Sequence, residues 1–125
     1  MHFLLTMFLV TTIFTGQATF YHNSLHEKIM RNGEVYNKQD VSVVAIAVNE
    51  EGEPIVPLGT ELIICRKDLE KCVLGRVQDT GRFPPEDLDL SQEAFDQLKT
   101  SETGRVDIIW WKLEDMLLIE QDTRF

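Results

Sequence analysis

One aspartate lies where a β-protein can present a chemically useful carboxylate. Asp79 ends a strand-like run and is followed by a turn built from Thr80 and Gly81. Loops at strand ends carry many catalytic and binding residues, because a rigid sheet positions them. A carboxylate there can act as a general acid or base, or hold a sugar hydroxyl. The plainer alternative is that Asp79 only caps its own turn, a common role for aspartate.

The elements that would position Asp79 are mostly strands. Apolar and β-branched runs predict strands over 19–21, 41–48, 61–65, 72–78 and 105–113. One helix is predicted over 91–98, with Ser91 as its N-cap and an apolar face of Ala94, Phe95 and Leu98. Helices are too few to cover a parallel sheet. The pattern therefore predicts a mainly β domain, either a small barrel or a sandwich.

Composition limits the classes of partner. The 125 residues fit one domain, and the hydrophobic fraction of 43% is ordinary for a folded chain. A formal charge of −9 with no basic stripe argues against binding nucleic acid or an anionic membrane surface. No metal-ligand or cofactor pattern is present in the sequence. We expect a monomer with no cofactor and no metal.

The first residues form an apolar leader. Residues 3–14 carry no charge and are too few to span a bilayer as a helix. They fit the hydrophobic region of a secretory signal peptide, and 16–18 offers small residues for cleavage after Ala18. The alternatives are a hydrophobic tether or a first strand. We predict a leader over 1–18, a domain over 19–113, a charged tail over 114–125, and a secreted, periplasmic or wall-associated location.

The two cysteines, Cys65 and Cys72, are separated by a polar loop between two predicted strands. In an exported chain this pattern predicts a disulfide that pins the base of a hairpin. Two free buried thiols are the alternative. Two cysteines with no nearby histidine are too few ligands for zinc.

The order of short motifs resembles one family. The chain runs through Ala-Thr-Phe-Tyr, Asn-Gly-Glu-Val-Tyr, Pro-Leu-Gly-Thr, Val-Gln-Asp-Thr-Gly-Arg-Phe and Asp-Leu-Ser before its helix. This resembles the rare lipoprotein A family, which is related to expansins and barwin and folds as a six-stranded double-psi β-barrel with one or two short helices. The similarity covers residues 17–113. It implies that the acids Glu34 and Asp79 are the functional pair.

That resemblance also implies a substrate. Some family members are lytic transglycosylases that cleave peptidoglycan glycan strands without water, while others bind or loosen wall polysaccharide. By analogy, Asp79 would be the acid/base and Glu34 its partner, and a nearby second carboxylate or desolvation would raise one pKa. Substrate contacts would come from Tyr21, Tyr36, Arg82 and Phe83, through stacking and hydrogen bonds.

The chain also departs from the family pattern. A histidine that members often place before Pro-Leu-Gly is replaced near Val48, and the family's Asp-Arg-Gly-Pro is Asp79-Thr80-Gly81-Arg82 here. Three functions therefore stay open. They are a lytic transglycosylase of low activity, a non-catalytic expansin-like glycan-binding module, and an inhibitor or effector that binds a protein.

Overall fold

The computed structural model describes residues 2–10, 12–100 and 104–124. Its strands are β1 (His2–Val10), β2 (Phe14–Phe20), β3 (Val43–Ala47), β4 (Glu61–Arg66), β5 (Cys72–Gly81), β6 (Leu88–Leu90), β7 (Val106–Lys112) and β8 (Met116–Arg124). The α-helix is α1 (Gln92–Leu98), and short 3-10 turns lie at Asn23–Leu25 and Leu113–Asp115.

Six strands close into a barrel in the order β2-β6-β3-β5-β4-β7, and β7 pairs back to β2. The pairs β2–β6 and β3–β5 are parallel, and the remaining pairs are antiparallel. This is the six-stranded double-psi β-barrel that the sequence predicted. Closure leaves the barrel without open sheet edges.

Two apolar clusters lie on opposite sides of β3. The barrel interior holds the larger cluster, which includes Trp110, Leu62, Ile64, Ile46 and Phe95. Alternate residues of β3 point the other way, and the chain between β2 and β3 covers them. This second, outer cluster consists of Tyr21, Met30, Tyr36, Val43 and Ala45, with Phe83 packed against it. Asp79 lies beside the outer cluster, where the Tyr21 hydroxyl donates to its carboxylate.

The helix forms as predicted. The Ser91 side-chain oxygen accepts a hydrogen bond of 3.2 Å from the Ala94 backbone N–H, which satisfies a donor that the first helical turn leaves unpaired. Ala94, Phe95 and Leu98 are buried, and they add the helix's apolar face to the barrel core.

The first barrel strand begins ahead of the predicted domain boundary. β2 starts at Phe14, so the predicted cleavage point after Ala18 falls inside a strand. Ala18 is fully buried and pairs with Leu88 on one side and Val106 on the other. Outside the barrel, β1 pairs with β8, from Val10 opposite Met116 outward. Leader processing stays a prediction. Within the described ranges, no helix is long and apolar enough to cross a membrane.

The predicted disulfide is confirmed. Cys65 and Cys72 lie directly opposite each other on β4 and β5, and they are bonded with a Cα–Cα distance of 4.0 Å. The bond closes the β4–β5 hairpin at the far end of β5 from Asp79.

We expect the double substitution Cys65→Ser/Cys72→Ser to lower the free energy of unfolding by about 2.5 kcal/mol, from the loop-closure entropy released in the unfolded chain. Urea denaturation of the variant and the oxidised wild type measures the difference. The reduced wild type is the control and should match the variant. Equal midpoints for variant and oxidised wild type would show that the bond adds no stability.

Candidate functional site

A β-bulge directs Asp79 outward. Along β5 the residues Val73, Gly75 and Val77 are buried and Leu74 and Arg76 between them are exposed, so plain alternation would bury position 79 as well. The register against β3 shifts, however, because Val44 pairs with Val77 and Ala45 pairs with Asp79. Gln78 is the extra residue and is buried. Bulges re-aim side chains in this way, and here the result is a half-buried carboxylate.

Hydrogen bonds hold both oxygens of the Asp79 carboxylate. Oδ1 accepts from the backbone N–H groups of Arg31 and Thr80, at 2.9 Å each. Oδ2 accepts from the Tyr21 hydroxyl at 2.8 Å. The turn-capping interpretation is therefore correct for the Thr80 bond. The other two bonds tie Asp79 to Arg31 in the covering loop and to Tyr21 directly after β2, which a cap alone does not require.

The second carboxylate near Asp79 belongs to Asp89. It lies at the centre of β6, between the inward-facing Leu88 and Leu90. The Thr19 hydroxyl donates a 2.9 Å hydrogen bond to Asp89 Oδ1. Burial raises the pKa of Asp89, and the negative charge of Asp79 raises it further, while the Thr19 hydrogen bond lowers it. Asp89 is therefore the carboxyl whose environment favours the protonated form.

Ala45 separates the two acids. It pairs with Asp79 on β5 and with Asp89 on β6, so all three side chains face the same way. Neighbouring strands lie about 4.8 Å apart, which places the Asp79 and Asp89 Cα atoms about 10 Å apart. The residue between them has only a methyl group. Two half-buried carboxylates thus flank Ala45, which is itself buried in the outer cluster, and we call this face of the barrel the Asp79–Asp89 surface.

Tyr21 and Tyr36 have a different role from the one predicted. They are 4% and 1% exposed, and their ring centroids lie 4.4 Å apart in the outer cluster. Rings packed in this way lack the exposed face that sugar stacking requires, so the stacking role is corrected. Burial and the neighbouring Asp79 raise the pKa of Tyr21, which remains a hydrogen-bond donor to that carboxylate. Burial also raises the pKa of Tyr36, whose hydroxyl accepts from the Gln92 backbone N–H.

Glu34 lies in the hairpin turn of the covering loop. Its backbone N–H donates to the Asn32 side chain, its carbonyl accepts from Met30, and its side chain is exposed. Gly33, with φ of +88°, makes this turn possible. Among the described residues, no hydrogen bond joins the Glu34 carboxylate to Asp79. Its partnership with Asp79 stays a prediction, whereas burial and the charge of Asp79 both raise the pKa of Asp89.

Phe83 and Arg82 follow Asp79 closely in the chain. The Phe83 ring covers Gly81, where a Cβ would lie 2.5 Å from the ring, so position 81 favours glycine. Phe83 is half-buried against the outer cluster. Arg82 is exposed, and its guanidinium lies near Gly52. Of the predicted contact residues, Arg82 is the exposed one with a polar side chain.

Arg31 is a site residue that the sequence did not reveal. Its backbone holds Asp79, and its guanidinium Nη1 donates to the Gly52 carbonyl at 2.8 Å and to the Thr80 hydroxyl at 3.3 Å. The side chain therefore brings a guanidinium to position 80. Nothing in the local sequence around Arg31 predicts this. Asp89 did have a signal, since the alternation Leu-Asp-Leu on a short strand turns the acid away from the core.

Stability is expected to report the protonation of Asp89. A carboxyl whose folded pKa is raised favours folding while it is protonated, and this contribution is lost as pH rises through the folded pKa. We expect Asp89→Asn and the wild type to be equally stable below about pH 3, where aspartates are protonated. The variant should become the more stable protein as pH rises toward 7. Thermal melts across this range measure the difference.

The control for that series is Glu86→Gln. Glu86 is exposed, and its side chain has no partner among the described residues. The difference in stability between Glu86→Gln and the wild type should not change with pH. If the Asp89→Asn difference is equally flat, the environment of Asp89 does not favour its protonated form.

The sequence was compared with protein families and with known proteins. No family model matches the chain. The protein ssl3177 of Synechocystis sp., described as uncharacterized, is 32% identical over 91 residues, which is 73% of this chain and 89% of that protein.

Three solved structures share the fold. Streptomyces papain inhibitor has a TM-score of 0.63 at 19% identity, covering 86% of this chain and 96% of its own. The expansin of Clavibacter michiganensis has a TM-score of 0.63 at 24% identity, covering 83% of this chain and 52% of its own. An aspartate-to-asparagine variant of that expansin, in complex with cellohexaose, has a TM-score of 0.61 at 22% identity over 82% of this chain and 50% of its own.

Proposed function

We propose that this chain, which belongs to the same family as ssl3177 of Synechocystis, is an extracellular protein that binds cell-wall glycan on the Asp79–Asp89 surface. The observation that carries the proposal is the alignment of two fixed carboxylates across Ala45. Carboxylates accept hydrogen bonds from sugar hydroxyls, and groups fixed before binding lose little entropy on binding. The cellohexaose complex of an expansin with the same fold supports a polysaccharide ligand.

The two carboxylates differ in their free acceptor capacity. A carboxylate has about four lone-pair sites. Asp79 already accepts three hydrogen bonds, from Tyr21, Arg31 and Thr80, whereas one side-chain bond, from Thr19, reaches Asp89. Asp89 is therefore the better acceptor for a ligand hydroxyl, and Asp79 supplies fixed negative charge beside it.

Two features support the proposed extracellular location. The Cys65–Cys72 bond fits an oxidising compartment. The apolar, uncharged segment 3–14 fits a secretion signal. Both features are consistent with a wall-associated protein.

Glycan cleavage is the second candidate, and the raised pKa of Asp89 favours it. In a lytic reaction, protonated Asp89 would donate its proton to the glycosidic oxygen as the bond from the anomeric carbon breaks. A hydroxyl of the same sugar would attack that carbon, and the ionised Asp79 would take the hydroxyl proton. The products would be an anhydro sugar and a free glycan end, with no water consumed. This assigns Asp89 the acid role that the sequence had given to Asp79.

Purified sacculi distinguish the functions. We expect the protein to sediment with sacculi, and mass spectrometry of the supernatant then tests for anhydro-muropeptides. Sedimentation without release indicates a binder. Release that is lost in Asp89→Asn indicates the lytic enzyme. If the protein neither sediments with sacculi nor releases fragments, wall binding is refuted. The inhibitor alternative then remains, and the shared fold of Streptomyces papain inhibitor favours it.

A further inference from the structure

Two guanidinium groups meet at one glycine beside Asp79. Arg31 Nη1 donates to the Gly52 carbonyl at 2.8 Å. A guanidinium nitrogen of Arg82 lies 3.8 Å from where a Cβ on Gly52 would be. These cations come from the covering loop and from the end of β5, on either side of a turn that the β3–β4 connection brings to the site. Position 52 has φ of +80°, so glycine is favoured there and leaves this space open.

The two arginines differ in how many partners their side chains contact. Arg31 also donates to Thr80 and pairs with the Glu53 carboxylate at 3.5 Å. Arg82 is exposed and has no hydrogen-bond or ion-pair partner among residues 2–10, 12–100 and 104–124. Arg82, three positions after Asp79, is thus available to a ligand that already lies on the Asp79–Asp89 surface.

We propose that Arg82, supported by Arg31, binds a carboxylate carried by the glycan, so that the ligand of the Asp79–Asp89 surface is an acidic wall polymer and not a neutral glucan. This inference rests on the proposed function. A guanidinium presents a planar fork of donors that matches a carboxylate in a bidentate geometry. The sugar hydroxyls would face Asp89 while the charged substituent points toward Gly52.

The overall charge of −9 does not oppose this arrangement at short range. Charges more than about 8 Å apart are largely screened at physiological salt, whereas a contact pair is screened much less. The acid that competes directly is Glu53, through its ion pair with Arg31. Neutralising Glu53 should therefore strengthen binding of an acidic polymer, which is opposite in sign to the loss expected at Arg82.

Wall carboxylates have two sources, which are uronic acid units and the peptide or lactyl groups of peptidoglycan. The shared chemistry is a carboxylate attached to a sugar chain. Binding to polygalacturonate reports recognition of uronic acids. Comparing intact sacculi with sacculi stripped of stem peptides by an amidase separates peptide carboxylates from the lactyl carboxylates, which the stripped glycan keeps. Cellohexaose is the neutral control.

The test combines one substitution with one chemical change in the ligand. Wild type and Arg82→Gln are bound to untreated sacculi and to sacculi whose carboxylates have been converted to amides with a carbodiimide and ammonia. We expect Arg82→Gln to weaken binding to untreated sacculi about 10-fold and to leave binding to amidated sacculi unchanged. Glu53→Gln should strengthen binding to untreated sacculi. Arg76→Gln, with the same charge change at an exposed position of β5, should behave like the wild type.

Three results would overturn the proposal. They are equal wild-type binding to untreated and amidated sacculi, an Arg82→Gln loss that is the same on both ligands, and an equal loss in Arg76→Gln. In each case binding to sacculi persists in the wild type, so wall binding survives while the carboxylate assignment fails. Absence of wild-type binding to every polymer would instead refute the proposed function itself.

Discussion

Asp89→Asn is expected to weaken binding to sacculi at least 10-fold while making the fold more stable at neutral pH. The loss has a direct cause, because an amide cannot replace the charge and acceptor capacity that Asp89 offers to a ligand. The gain follows from the position of Asp89, whose charged form is disfavoured by burial and by the charge of Asp79. The remaining amide oxygen still accepts the Thr19 hydroxyl.

These opposite effects make Asp89→Asn the cleanest test of the surface. A functional loss that accompanies a higher melting temperature cannot result from misfolding. Sedimentation with sacculi measures binding, release of anhydro-muropeptides measures cleavage, and thermal melts at pH 7 measure stability. Glu86→Gln is the matched control and should leave all three unchanged. Unchanged binding in Asp89→Asn would remove Asp89 from the ligand surface and undermine the proposal.

Asp79→Asn would give a less clear result. The Asp79 carboxylate accepts from Tyr21, Arg31 and Thr80, so an amide nitrogen at one of its positions would face a donor. Breaking one such bond to a charged group costs about 1.5–3 kcal/mol. The variant is therefore expected to lose stability as well as binding, and its binding must be read against its folded fraction.

The sequence predicted most of the fold because the signals were local. The run 43–47 is uniformly buried, the Ser91 cap is short-range, and the cysteine spacing fixes a hairpin. The start of β2 was missed because Phe14 ends the apolar run 3–14 and residues 16–18 fit a cleavage site, and the same residue types serve either purpose. Composition alone could not separate these uses.

The site was predicted less completely, because it depends on pairing between distant segments. Asp79 was found from its place at a strand end. Its coupling to Asp89 arises from the register of β5 and β6 on the two sides of β3, and a bulge at Gln78 sets that register. The position of Arg31 depends on the packing of a 22-residue connection between β2 and β3, from 21 to 42. Single-sequence patterns carry no information on such pairings.

The second large effect is expected from truncation inside β2. A chain that begins at Thr19 lacks Phe14 to Ala18, which pair with β7 from Trp110 to Val106. It loses the stacked Phe14–Trp110 contact, with ring centroids 4.3 Å apart, and the buried Ala18. We expect these losses, together with the loss of the strand hydrogen bonds, to lower the free energy of unfolding by about 5 kcal/mol. That is comparable to the whole stability of many domains, about 5–15 kcal/mol.

A chain that begins at Ile13 is the matched control, because it removes β1 and keeps all of β2. Tryptophan fluorescence during urea denaturation reports both chains, since Trp110 is buried between β2 and β4. We expect cooperative unfolding for the Ile13 chain and a largely unfolded Thr19 chain. This outcome would place any leader cleavage upstream of Phe14, because a product that starts at Thr19 could not close its barrel. If the Thr19 chain is as stable as the Ile13 chain, residues 14–18 are dispensable for the barrel, and cleavage after Ala18 is compatible with the folded protein.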